Sequence, residues 1–207
     1  MVWFIHEEER GVIMTTDKMR RFAGSLHTVF KVFFWVSLVV AILSAISIII
    51  VLVVPGEIWQ GQLGSKVYFS TGDVVRYQLD LPPDQLIDYK PLLLVYLTSL
   101  AVGVGVIAVI HYLLADILRR VKEGDPFAKE NGTKISVIGA IILVGSFVVN
   151  LMQAAITYAG IVVYNIKNIS VNISPDMTMI FLGLLLLILA GIFRYGSYLQ
   201  DEVDATL

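Results

Sequence analysis

Apolar residues fill four long stretches of the chain, at 32–54, 91–115, 135–157 and 178–193, and Tyr195 to Leu199 carry the last of these on to about 198. A helix rising about 1.5 Å per residue needs about 20 such residues to cross a hydrocarbon layer about 30 Å thick. Every Lys, Arg, Asp and Glu lies outside the four stretches, and Arg194 stands where its stem can snorkel to the headgroups. The pattern predicts an all-α membrane protein with four transmembrane helices. Its first apolar core is too long for a signal peptide, and Val53-Val54-Pro55-Gly56-Glu57 at its exit lacks a small-x-small cleavage site, so this segment stays as an anchor.

A different period appears between the helices. In the 55–90 connection Val67-Tyr68-Phe69 is followed by a turn at Ser70-Thr71-Gly72-Asp73, and then Val75, Tyr77, Leu79 and Leu81 alternate with Arg76, Gln78 and Asp80. In the 158–177 connection Ile169, Val171 and Ile173 alternate with Ser170, Asn172 and Ser174, up to Pro175. Alternation with period two is the mark of a half-covered strand. A lone hairpin is marginal in water, so the two connections are expected to join in a small β-sheet whose apolar side covers the helix ends.

Lys and Arg set the orientation. Eleven lie in the N-terminal segment, the 116–134 connection and the tail, against four in the 55–90 and 158–177 connections. The richer side is cytoplasmic, which puts both termini inside and the sheet outside. Ahead of the first span, Met19, Phe22, Leu26 and Val29/Phe30 recur at helical spacing beside Lys18, Arg20, Arg21 and Lys31. Two readings stand: a basic amphipathic helix lying in the inner interface, or a plain extension of the first span. Residues 1–13 show no apolar stripe and are expected to be disordered, with Met14 a candidate start. Residues 14–207 then form a single membrane domain.

Composition agrees, with 57% apolar and 15% charged residues, against about 45–50% and about 25% in an ordinary soluble domain. A net charge of −2 gives no reason to expect direct contact with nucleic acid. The absence of cysteine removes disulfides, thiolate metal sites and cysteine nucleophiles together. His6, His27 and His111 are dispersed, and no Ser–His–Asp set, His-x-x-x-His pair or P-loop occurs, so the sequence predicts neither an enzyme nor a cofactor or metal site. Gly103-Val104-Gly105 imitates a dinucleotide fingerprint but lies in mid-span, where Ala101 and Gly105 read as a packing surface, with Gly139, Gly183 and Gly191 in similar roles. The candidate intramembrane polar site is Asn150 with Gln153 on one face of the third span, together with His111 near the inner end of the second. Amides there usually hydrogen-bond between helices, and His111 reads first as a hydrogen-bonded structural histidine rather than a proton relay.

The cytoplasmic segments carry the sharpest motifs. Arg119, Arg120 and Lys122 lead into Gly124-Asp125-Pro126-Phe127, where Gly124 suits a left-handed cap, Asp125 can cap the next turn, Pro126 suits its first position, and Phe127 would anchor at the interface. The tail runs Phe193, Gly196, Leu199, then Asp201, Glu202, Asp204 and Thr206, and its acids are expected to lie beside the basic cluster, pairing with it or receiving a partner. These two motifs resemble those of the bacterial four-helix membrane proteins grouped as the "domain of unknown function 2975" family, with its Gly-x-Pro-Phe element and Phe-x-x-Gly-x-x-Leu-x-x-Glu-x-Asp-x-Thr tail. The resemblance implies no established activity, and genes of that family often neighbour a small helix-turn-helix regulator, which implies a regulatory pair. The expected function is therefore a non-enzymatic sensor, regulatory or immunity-type module of the cytoplasmic membrane, embedded in the lipid bilayer and acting through a cytoplasmic regulatory protein. The competing class is a small transporter, channel or lipid-binding protein, and a homo-oligomer fits either.

Overall fold

The computed structural model describes the backbone of residues 2–62, 66–71, 75–80, 86–166, 171 and 173–206, and the side chains of residues 17–61, 86–166, 171, 173–203 and 205–206. Four helices carry the chain: α1 (Val2–Val53), α2 (Lys90–Glu123), α3 (Lys129–Val163) and α4 (Met177–Asp204). All four are long and apolar enough to cross a membrane. The chain is thus a multi-pass membrane protein by the length and composition of its helices.

The packing has the opposite sense to that of a soluble core. Its buried apolar residues are largely alanines, such as Ala23, Ala108, Ala115 and Ala190, whereas Phe22, Trp35, Phe147, Phe181 and Ile188 are each more than half exposed. Large side chains facing outward along whole helices fit acyl chains as solvent, and small residues inside let backbones approach closely.

The helices outrun the apolar stretches, because a nucleated helix gains one hydrogen bond for each residue it adds. α1 is the extreme case. It runs unbroken from Val2, through the 1–13 segment expected to be disordered and through 17–31, so the plain extension of the first span describes this region rather than a separate interfacial helix.

The chain divides into two compact units, residues 1–41, 102–150 and 174–207 forming one and 42–101 and 151–173 the other. In the second unit a short 3-10 turn (Gly56–Trp59) leads to β1 (Gln60–Gln62), which pairs antiparallel with β4 (Leu86–Asp88), and between them β2 (Lys66–Thr71) pairs antiparallel with β3 (Val75–Asp80). Phe69 stands opposite Tyr77 and Val67 opposite Leu79, as the alternation requires. Both ladders are built from the 55–90 connection alone. The third strand expected at 169–173 is not seen at Val171 or Ile173, and 167–170 and 172 lie outside the described residues, as do the side chains of β2 and β3 that were to cover the helix ends. Ile87, 2% exposed, anchors β4. Lys90 Nζ donates to the carbonyls of Val54 (3.1 Å) and Leu52 (3.4 Å), so a cation satisfies the last acceptors of α1. α3 ends on Asn165, whose φ of 51° is the left-handed cap an asparagine tolerates.

In the first unit α3 and α4 run against each other along small residues spaced by seven: Gly132, Gly139 and Ser146 on one helix, Gly183, Ala190 and Ser197 on the other. A Cβ on Gly139 would lie 3.0 Å from the Gly183 carbonyl, and one on Gly132 would lie 3.3 Å from the Ala190 carbonyl. Backbone touches backbone. Of the glycines read as packing positions, Gly139 and Gly183 fill that role, whereas a Cβ at Gly103, Gly105 or Gly191 would meet no other helix within 4 Å among the described residues. Asp176 caps the start of α4, accepting from the backbone of Thr178 (2.8 Å) and Met179 (3.2 Å).

Candidate functional site: the loop between the second and third helices and the end of the fourth

The α2–α3 loop is held by backbone geometry that its sequence dictates. Gly124 N–H donates to Val121 O (3.2 Å) and Asp125 N–H to Arg120 O (3.0 Å), which is the two-bond closure of a Schellman cap. Gly124 has φ +97°, a conformation that side-chain-bearing residues rarely adopt, and a Cβ there would also strike the Arg20 guanidinium. Asp125 then turns the chain through its backbone carbonyl, which accepts from Ala128 N–H at 3.5 Å, rather than through the side-chain cap expected of it. Pro126 follows, and its carbonyl accepts from Asn131 Nδ2 (3.0 Å). Asn131 is fully buried, so this bond ties the loop to the first turn of α3 from inside. Phe127, expected as an interface anchor, is 41% exposed and packs on α4, its ring 5.5 Å from that of Phe193 and in the space that a Cβ on Gly196 would fill.

The basic cluster finds its acids locally. Asp116 accepts from Arg119 (2.7 Å) and pairs with Lys134, Arg119 also reaches Glu123 (3.5 Å), and Arg120 pairs with Glu130 (3.0 Å). The expected pairing of Arg119, Arg120 and Lys122 with the tail is not formed: among the described residues no ion pair includes Asp201 or Glu202, and the Asp204 side chain lies outside them. The physical reason is proximity, since helix neighbours three and four apart and the facing strand of a tight helical hairpin are nearer than another helix's end. Lys122 instead lays its stem along Gly24, 3.4 Å from where a Cβ would stand.

His111 and Asn150, polar residues inside the spans, are also satisfied nearby. His111 Nδ1 lies 3.2 Å from Ser37 Oγ, with the rings of Phe30 and Phe33 at 5.9 and 5.5 Å, which fits the structural reading of this histidine. A second histidine that the sequence does not single out, His27, places Nδ1 2.8 Å from the Ala115 carbonyl, so that nitrogen carries the proton and α1 is tied to α2 twice. Asn150 Nδ2 donates to Ser146 O of its own helix (2.7 Å), not to another helix. Gln153 is exposed, and no side-chain bond joins it to another helix among the described residues. Arg194 donates from Nη2 to Ser136 Oγ on α3 at 2.6 Å.

No group of three or more potential metal ligands occurs among the described residues. Two shallow, open surface grooves are lined by α1 and α2, one by Arg20, Arg21 and Lys122 and the other by His27, Phe34, Tyr112 and Asp116, and neither is lined by Asn150 or Gln153. No curated protein and no solved structure matches the chain. A family model described as "Protein of unknown function (DUF2975)" matches residues 80–207, from β3 through the Schellman loop to the acidic tail. The match takes in both motifs that carry the resemblance, and the chain is a member of that family.

Proposed function

We propose that this protein is a non-enzymatic regulatory module of the cytoplasmic membrane, with both termini inside, that receives a basic surface of a cytoplasmic protein on the end of α4. One observation carries the reading. Asp201 and Glu202 stand exposed near the C-terminal end of a helix that has no basic residue in its last turn. Negative charge there opposes the helix dipole, by about 0.3–1 kcal/mol for each residue, and no ion pair among the described residues offsets it. Acids that weaken their own helix and hold nothing in place are suited to a partner's cations. The exposed rim of Lys129 and Phe127 adds a mixed border to that surface.

Asp201→Lys with Glu202→Lys is expected to abolish cross-linking to a cytoplasmic protein in native membranes, while the melting temperature of the purified variant holds or rises, since lysine favours a helix C-terminus. A lower melting temperature with undiminished cross-linking would show the acids to be structural. Sidedness has its own test, motivated by the excess of Lys and Arg in the N-terminal segment, the 116–134 connection and the tail. Reporter fusions at residue 85 and after residue 207 should report opposite sides of the membrane, and the same side for both would defeat the four-span orientation.

A further inference from the structure

Arg20 and Arg21 on α1 and Lys122 near the end of α2 line one shallow, open surface groove, with Gly24, Ser25 and Thr28 as its floor. None of these three cations makes an ion pair among the described residues, although Asp17 lies within a turn of both arginines and Glu123 and Asp125 lie beside Lys122. The hydroxyl protons are already committed, Ser25 to Arg21 O (3.2 Å) and Thr28 to Gly24 O (3.1 Å), so the groove offers cationic N–H donors almost alone. Gly24 lies under the Lys122 stem, which passes 3.4 Å from where a Cβ would stand. We propose that this groove binds the phosphate of an anionic phospholipid headgroup.

Depth and surroundings favour a lipid over a free anion. Lys122 follows the end of the second apolar stretch by seven residues, and Arg21 and Arg20 precede Val32 by eleven and twelve, roughly 10, 16 and 18 Å along a helix. The cations thus stand outside a headgroup layer of about 5–8 Å but within about a Debye length of its charge. Phe22, 66% exposed, and Met19, 44% exposed, flank the cations on the same helix, and apolar side chains in that position suit contact with a lipid rather than with water alone. Three clustered cations also disfavour a zwitterionic headgroup, whose ammonium would meet like charge.

The test uses the full chain in a non-ionic detergent, titrated with phosphatidylglycerol, phosphatidylcholine or inorganic phosphate, and reads bound lipid by native mass spectrometry. Phosphatidylglycerol should bind more tightly than phosphatidylcholine. Each Lys or Arg near an anionic lipid surface is worth about five-fold in binding, so Lys122→Gln should weaken phosphatidylglycerol about five-fold and Arg21→Gln with Lys122→Gln about twenty-five-fold. Lys129→Gln, an equal loss of charge outside the groove, should leave it unchanged. Inorganic phosphate should compete only weakly. Equal weakening by Lys122→Gln and Lys129→Gln, or no preference over phosphatidylcholine, would overturn the proposal, and phosphate bound as tightly as phosphatidylglycerol would replace the lipid with a soluble anion. Unchanged melting of the unliganded variants keeps these outcomes separate from misfolding.

Discussion

Asp116→Ala should cost about 1–3 kcal/mol, the range for leaving a partly buried polar group without its partner. Asp116 and Lys134 are only 19% and 17% exposed, and Arg119 leans on the same carboxylate. Without Asp116 the half-buried Lys134 ammonium loses its one ion-pair partner among the described residues, at the edge of an apolar span. Thermal unfolding in detergent should show a large fall in melting temperature. Adding Lys134→Met to an Asp116→Leu protein should recover most of the loss, because replacing both members of a buried pair by apolar groups is often neutral. A double variant as unstable as Asp116→Ala would mean that the carboxylate is needed for something other than this lysine.

Gly183→Leu should be nearly as damaging, and the same change eight residues along α4 should not be. A Cβ on Gly183 would lie 2.6 Å from Leu143 Cγ and 3.0 Å from the Gly139 carbonyl, so a leucine must push α3 and α4 apart. Overpacking of this kind costs about 1–3 kcal/mol when side chains can yield, and backbone cannot. Around Gly191 nothing lies within 4 Å. There, Gly191→Ala should raise stability by about 0.8–1 kcal/mol, through helix propensity alone. Melting temperatures of the two variants that move in the same direction would contradict the α3–α4 seam.

The helices, the glycine cap and the β2–β3 hairpin were legible because each rests on a local pattern: apolar runs of bilayer length, a Gly-x-Pro step after a basic turn, and alternation about Gly72. The ion pairs were misread because charge counts say which clusters exist, not which faces meet. A signal was nevertheless present. Asp116 and Lys134 are equally far in sequence from Asp125, and so are Arg120 and Glu130, so a helical hairpin folded about Asp125 brings both pairs to matching depths. Asn131 left no such trace. An asparagine in a loop ordinarily reads as solvent-facing, and only the packed structure shows it fully buried against Pro126. Asn150 failed for a related reason: an amide inside a span needs a partner, and the nearest one is the carbonyl one turn back along its own helix.

The unbroken first helix also has a mechanical consequence. From Asp17 to Val32 it continues for fifteen residues beyond the apolar stretch with no hinge, roughly 22 Å of stiff rod. When the bilayer thins, a helix of fixed apolar length accommodates by tilting. A tilt of about 10° about Val32 would swing Asp17 sideways by roughly 4 Å. A first helix that tilts in this way would act as a lever and carry the end of α2 with it, since Lys122 lies along Gly24 and His27 bonds to Ala115.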